Sequence, residues 1–482
     1  MPALPVSRWG EVLADESIHD LTLTEALAGL AARRFTCRAY VEAFIARAEA
    51  QAHLNALVAT DWTRLRADAD AVDRSGRAGE GLSGIPLCFK DNIATGILPA
   101  GAGTPALKGH VADAPSPLAA ALLAAGALVG ASGNMHELAF GITNNNPATG
   151  SARNPWNPDM IPGGSSGGVA AAIAARLMPA GIGTDTGGSV RLPAALCGLV
   201  GYRPTIGRYP GKGIVPISHT RDTAGPMTRS VADARLLDGV ITGKGASVEV
   251  ADLSRIRLGV PRPHFWEDLD PAVTAVCEHS LARLAAAGAT LVEVEVPHVA
   301  RLNAACGFPV AVYEFMRGLP AWLAENGLGL TMRDIAERVA TDNVRAMIEA
   351  ELGPGAVTDT LYREAIGIHR PKLQAVYAAV FADHALDALV FPTAPLPARP
   401  VGEDEWVELN GRGAPTFSTF IRNTDPGSGA GLPGISLPAG LTPDGLPVGL
   451  EFDAQAGADE RLLALAAAVE IVLGRLPAPP SA

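Results

Sequence analysis

Between Leu54 and Pro297 short apolar runs alternate with helical segments, and this alternation constrains the fold more than any other feature of the chain. Strand character is read in "LNALVAT" (54–60), "LSGIPLCFKDNI" (82–93), "ALVGASG" (127–133), "MPAGIGTDTGGS" (178–189), "RIRLGVPRP" (255–263) and "TLVEVEVP" (290–297). Helical segments are read at 116–126, in the alanine-rich "VAAAIAARL" (169–177) and at 270–288. Residues 21–50 place apolar side chains at helical spacing, opened by a capping box of Thr22 and Glu25. The pattern predicts an α/β fold: a mixed, mostly parallel twisted sheet covered by helices on both faces. From 299 to 385 the strand signal stops and only helical patterns with scattered charges remain. Strands return in "LDALVFPTAP" (386–395), "LPGISLPAG" (432–440) and "LPVGLEFDA" (446–454), and a helix over 459–476 closes the chain. The expected organisation is a core begun by residues 1–298, a helical insertion or cap over 299–385, and completion of the core by 386–482. The Pro- and Gly-rich stretch 392–433 reads as a loop at the substrate edge.

Composition excludes several classes. Net charge is −12 and no long basic run occurs, so neither nucleic acid nor an anionic membrane is expected as partner. Cys37, Cys88, Cys197, Cys277 and Cys306 are odd in number and far apart. They form no CxxC, which argues against a disulfide framework or a thiolate zinc site and for a reducing compartment. The first residues, "MPALPVSRWGEVLADES", lack a basic segment followed by an apolar run, so no signal peptide is expected. "LAAALLAAGALVGASG" (118–133) is apolar, but glycine-punctuated and shorter than a membrane span. A cytoplasmic protein with no metal and no cofactor is the expectation.

Several motifs compete for the chemistry. Gly164-Ser165-Ser166-Gly167-Gly168 satisfies G-x-S-x-G with Ser166 in the centre, yet Pro155, Pro158 and Pro162 occupy the place of the strand that this motif requires. A phosphate loop needs Lys and then Ser or Thr after its last glycine, whereas Val169 follows here. "GIGTDTGG" (181–188) lacks the third glycine of a dinucleotide loop. In "HELAF" Phe140 stands where a second zinc-binding histidine belongs, so His136 reads as a hydrogen-bonded structural residue. In "GTDTGGSVRLP" the N–H groups of Thr186, Gly187, Gly188 and Ser189 can converge into an oxyanion hole beside a nucleophilic serine. The same glycines also suit a plain tight turn. Lys90 ends an apolar strand, where desolvation would lower its pKa and make it a base; the alternative is a solvated loop lysine.

Three loops in order, "FKDNI" (89–93), "PGGSSGG" (162–168) and "GTDTGGSVRLP" (183–193), resemble the amidase signature family. Ser165 and Ser189 lie 24 residues apart, as that family requires. The flanking "GNMHELAFGITNNN" (133–146), "RNPWNP" (153–158), "GLVGYRPTIGR" (198–208) and "HTRDTAGPMTRSVADA" (219–234) agree, and the likeness is densest over 82–240. The resemblance implies Ser189 as nucleophile, Ser165 as bridging serine after a cis Gly164–Ser165 peptide, and Lys90 as base. Ser166 would only support its loop, and Asp185 and Arg191 would brace the nucleophile by hydrogen bonding. Met135, Phe140, Ile142 and Tyr209, near the serine loops in sequence, are the expected substrate pocket. The wording is similar to the bacterial arylacetamide branch of the family, which implies hydrolysis of small amides with an apolar or aryl acyl part through an acyl-enzyme. Ester, anilide and carbamate (urethane) cleavage remain open, because specificity would reside in the variable 300–430 region. The expected partner is a small-molecule amide, ester or carbamate, with a homodimer also open to the chain. Two other classes stand beside this one: a glutamine amidase subunit of a tRNA-dependent amidotransferase, and a non-catalytic binding protein on an amidase scaffold.

Overall fold

The computed structural model describes residues 18–480. The segment on which the absence of a signal peptide was read, 1–17, lies outside them. The strands are β1 Leu57–Thr60, β2 Pro86–Lys90, β3 Leu128–Gly133, β4 Ala180–Asp185, β5 Val200–Arg203, β6 Thr223–Thr228, β7 Arg257–Pro261, β8 Thr290–Val294, β9 Ala388–Pro392, β10 Trp406–Leu409, β11 Arg412–Pro415, β12 Gly434–Leu441 and β13 Pro447–Asp453. Among the described residues, 11 of them form one sheet in the order β1-β3-β2-β4-β6-β5-β12-β13-β9-β7-β8, and β10 pairs with β11.

The sheet is mixed, as the sequence predicts, but its balance differs from the expectation. Parallel pairing is confined to β3–β2–β4 and β9–β7–β8, and the other neighbours run antiparallel and are the majority. The parallel blocks are those served by crossover helices, such as Pro117–Ala124 between β2 and β3 and Pro271–Ala286 between β7 and β8. The middle of the sheet lacks such crossovers: β12 turns directly into β13, and no helix separates β5 from β6. Sequence reading passed over β5 and β6, which carry Gly201, Gly225 and Pro226, residues that strands usually avoid.

The helical stretch expected over 21–50 is two helices, Leu23–Ala31 and Cys37–Ala50, and the Thr22–Glu25 capping box is present. Arg33 at φ 53° breaks the run, and Thr36 caps the second helix. The stretch 392–433 is more ordered than a loop. It holds the β10–β11 hairpin, whose two-residue Asn410-Gly411 turn takes positive φ at both positions, and the short helices Thr416–Phe420 and Asp425–Ala430.

Between β8 and β9 the chain is helical from Val299–Glu325 to Arg370–His384, and strands from both sides of this interval enter the one sheet. β2, β3, β4 and β6 are buried along their whole length, so their neighbouring helices must approach closely. Helix Gly167–Ala174 does so: a Cβ on Gly181 would lie 2.5 Å from Val169 Cγ1, and one on Gly183 would lie 2.8 Å from Ser166 Oγ. The glycines of β4 thus seat the serine pair against the sheet. All five cysteines are free and buried. No described helix is long and apolar enough to cross a membrane.

Candidate active site

β2 ends at Lys90, whose side chain is fully buried at the carboxyl end of the strand. Nζ lies 2.7 Å from Ser165 Oγ, 2.8 Å from Thr184 Oγ1 and 3.4 Å from Thr184 O. Burial pushes the Lys90 amine down to about 7, against the pull of Asp185 and Asp222. A neutral amine has two N–H donors and one lone pair. The two oxygens of Thr184 match the donors, and the Ser165 hydroxyl faces what remains. Asn92 Nδ2 also donates to Thr184 Oγ1, at 3.2 Å, and holds that hydroxyl in place. Sequence reasoning did not single out Thr184; its position at the end of β4, the strand next to β2, was the available signal.

Ser165 follows a cis Gly164–Ser165 peptide and is fully buried. Its carbonyl accepts from His136 N at 3.1 Å, and Gly167 N donates to Asn144 Oδ1 at 3.0 Å. Ser166 faces the other way. Its hydroxyl donates to Thr184 O at 3.2 Å and accepts from Thr184 N at 3.3 Å, and its N–H donates to Ser189 O at 3.3 Å. Lys90 and Ser165 are thus brought into contact, and the two serine loops touch through the backbone. Among the described residues, the hydrogen bonds from Lys90 stop at Ser165 and do not extend to the Ser189 hydroxyl.

Ser189 opens onto a cavity, and its loop is held from behind. Asp185 accepts from Gly188 N at 2.8 Å and Val190 N at 3.2 Å, and from Arg191 Nε at 3.1 Å and Arg203 Nη1 at 3.0 Å. Burial opposes ionisation of Asp185, but Arg191 and Arg203 overcome it and hold the carboxyl well below the usual carboxylate range. Arg191 also donates to Glu451 Oε1 at 2.8 Å and Ser428 Oγ at 2.6 Å, which ties the loop to β13 and to helix Asp425–Ala430. The Gly188 N–H is therefore occupied by Asp185 and is not open to an oxyanion, contrary to the sequence expectation. The N–H groups of Thr186, Gly187 and Ser189 carry no hydrogen bond among the described residues. Their loop is oriented by its carbonyls: Thr186 O accepts from Arg221 Nη2 at 3.1 Å, and Gly187 O from Thr424 Oγ1 at 2.7 Å. Gly188 has φ 134°, and a Cβ there would collide with Thr424 Oγ1.

The cavity has about 530 Å³ of empty space including its open mouth. Phe140, Ile142, Ile217, Ala311 and Ile421 make it largely apolar, with Ser189, Thr186, Arg221 and Asp425 as its polar side chains. Phe308 and Phe417, both exposed, reach it from helix Val299–Glu325 and from the segment after β11. Two of the four expected pocket residues, Phe140 and Ile142, line it. Met135 does not: it is fully buried and packs behind the wall with Ala139, Ile217 and Ala311. Tyr209 is elsewhere, in the main core, and donates to Asp238 Oδ1 at 2.9 Å. Nearness in sequence did not carry these two side chains to the cavity. His136 is buried but is not the hydrogen-bonded residue expected: neither ring nitrogen has a hydrogen-bond partner among the described residues. Its ring instead fills the space left by Gly141. Burial pushes its pKa down to about 4, so it is uncharged.

The sequence profile of the family described as Amidase matches residues 39–463. The chain belongs to the amidase signature family. The matched span contains the Lys90, Ser165 and Ser189 loops and both sides of the helical interval. An indoleacetamide hydrolase of Rhizobium radiobacter is 51% identical over 94% of this amidase and 97% of its own length. A mandelamide hydrolase of Pseudomonas putida is 40% identical, covering 96% and 94% of the two chains. A solved amidase structure superposes with a TM-score of 0.84 at 34% identity, over 94% of this chain and 100% of the other.

Proposed function

We propose that this amidase hydrolyses small arylacetamide-type primary amides through an acyl-enzyme on Ser189, with Ser165 as proton relay and Lys90 as base. One observation carries the reading. A fully buried lysine, its pKa pushed down to about 7 by burial, stands 2.7 Å from Ser165 beside an apolar cavity that Ser189 lines. The names of the indoleacetamide and mandelamide hydrolases support an aryl acyl group.

The substrate carbonyl enters beside Ser189. The Ser189 proton passes to Ser165 as the Ser165 proton passes to the Lys90 lone pair, and Ser189 Oγ bonds to the carbonyl carbon. The N–H groups of Thr186, Gly187 and Ser189 receive the oxyanion. Ser189 Oγ closes on Ser165 in this step, because catalytic hydrogen bonds tighten when substrate binds. On collapse the C–N bond breaks and the nitrogen takes the proton back through Ser165, so ammonia leaves. Water then attacks the ester through the same relay and releases the acid. Esters, anilides and carbamates meet the same attack and belong to the proposed range.

A panel of arylacetamides, anilides, esters, carbamates and glutamine tests the reading with purified protein. Ammonia release from indole-3-acetamide or phenylacetamide is the expected result. Release from glutamine only, and only with a co-purifying partner, would instead favour an amidotransferase subunit. A fluorophosphonate probe that labels nothing would favour a binding protein.

The two neighbouring serines give a sharper comparison. Ser165→Ala is expected to lower turnover by about 100- to 10,000-fold, the range for losing a proton-transfer group. Ser166→Ala is expected to lower it less than about tenfold and to show mainly as reduced thermal stability, because it leaves the buried Thr184 N–H without its partner. Equal losses would mean that the bridge is wrongly assigned.

A further inference from the structure

At the wall of the apolar cavity lies one tight polar niche, with room at position 307 for glycine but not for a Cβ. A Cβ at Gly307 would stand 2.9 Å from Asp425 Oδ2, 3.2 Å from Arg221 Nη1 and 3.2 Å from Asn303 Oδ1. Gly307, Arg221 and Asp425 all line the cavity that holds Ser189. Asn303 stands one helical turn before Gly307 on helix Val299–Glu325, so both present the same face. The Asn303 amide is oriented by its own hydrogen bond: Nδ2 donates to Asp425 Oδ2 at 2.7 Å, which leaves Oδ1 as the free end. That Oδ1 is buried and has no donor among the described residues. Arg221 is partly committed, its Nη2 donating to Thr186 O at 3.1 Å and pairing with Asp425 Oδ1.

We propose that Asn303, Asp425 and Arg221 form a specificity subsite for a hydrogen-bond donor, an N–H or O–H, on the acyl part of the substrate. The inference rests on the arylacetamide reading above and names what the cavity selects within that class. Two of the three groups at the niche are acceptors, and one of these is unpaired. An aryl ring bearing an N–H satisfies Asn303 Oδ1; a hydrocarbon edge in the same place leaves it buried without a partner. A site built this way rejects an analogue that lacks the donor more strongly than it rejects a change in apolar bulk. An anionic substituent would meet the Asp425 carboxylate and is disfavoured. Nothing in the relay uses Asn303, so the subsite can be probed apart from the chemistry.

The test compares indole-3-acetamide with benzothiophene-3-acetamide, which replaces the ring N–H by sulfur at nearly the same shape. For the native protein kcat/KM is expected to favour the indole by about 10- to 100-fold. Asn303→Leu and, separately, Gly307→Ala, whose methyl fills the niche, are each expected to bring the ratio close to one. The ratio is taken within one preparation, so a partly unfolded variant does not disturb it. A native ratio near one, meaning that the niche holds only solvent, or a ratio unchanged in both variants, overturns the subsite while leaving the arylacetamide reading intact. If the native protein hydrolyses neither compound, the arylacetamide reading itself fails and the subsite with it.

Discussion

Ser189→Ala is expected to slow hydrolysis of an arylacetamide by about 10,000-fold or more. The other hydroxyl at the cavity wall cannot replace it, because Thr186 Oγ1 donates to Asp222 Oδ1 at 2.6 Å. What survives in the variant is a cavity with the N–H groups proposed to receive the oxyanion still in place, which is expected to retain some advantage over bulk water. The fold should not suffer. Ser189 is partly exposed and its hydroxyl makes no hydrogen bond among the described residues, so the melting temperature should move by less than about 3 °C. Two measurements check this: single-turnover rates with purified variant, and intact-mass detection of a fluorophosphonate adduct on the native protein that disappears in the variant. Residual turnover at a tenth of the native rate would remove Ser189 from the chemistry.

Lys90→Met carries the second large effect, a loss of about 1,000-fold or more, at the upper part of the range for a proton-transfer group. Methionine matches the length and burial of the lysine stem while removing the amine. The Thr184 hydroxyl keeps Asn92 as a donor, so only the Ser165 hydroxyl loses its partner. Because burial already disfavours the charged lysine, the variant is expected to be at least as stable as the native protein. Low activity in a fully folded protein separates a chemical role from a structural one. Thermal melting and turnover on the same sample decide it, and activity within tenfold of native would contradict a lysine base.

Parts of this site were legible in sequence for identifiable reasons. Lys90 closes a buried apolar strand, and Ser165 and Ser189 sit in glycine-bearing loops beside buried elements; local patterns mark both. Phe140 and Ile142 were within reach because the chain from β3 passes directly along the cavity. Met135 and Tyr209 come from equally nearby sequence but face the interior, since direction depends on packing that spacing alone does not record. Arg221, Thr424 and Asp425 remained invisible. They orient the Ser189 loop from segments 32 to 236 residues away, as Ser189 to Arg221 and to Asp425 shows, and each alone reads as an ordinary loop residue. The sheet followed the same rule. Its crossover blocks were read from periodicity, whereas β5 and β6 are strands made by their neighbours, with glycine and proline where propensity expects neither.

The central claim is that an uncharged amine at Lys90 draws the proton from Ser189 by way of Ser165. Its most direct test is kcat/KM for a neutral arylacetamide between pH 5 and 9. Protonated Lys90 cannot accept a proton, so activity should be full above its pKa and should fall about tenfold per unit below about pH 7. Asp91, pushed up to about 7 by burial, titrates in the same window, and Lys90→Met separates the two. The account predicts a steep acid limb in the native protein that is missing from the residual activity of the variant. A native profile that stays level down to pH 5, or a limb that survives in Lys90→Met, would contradict it.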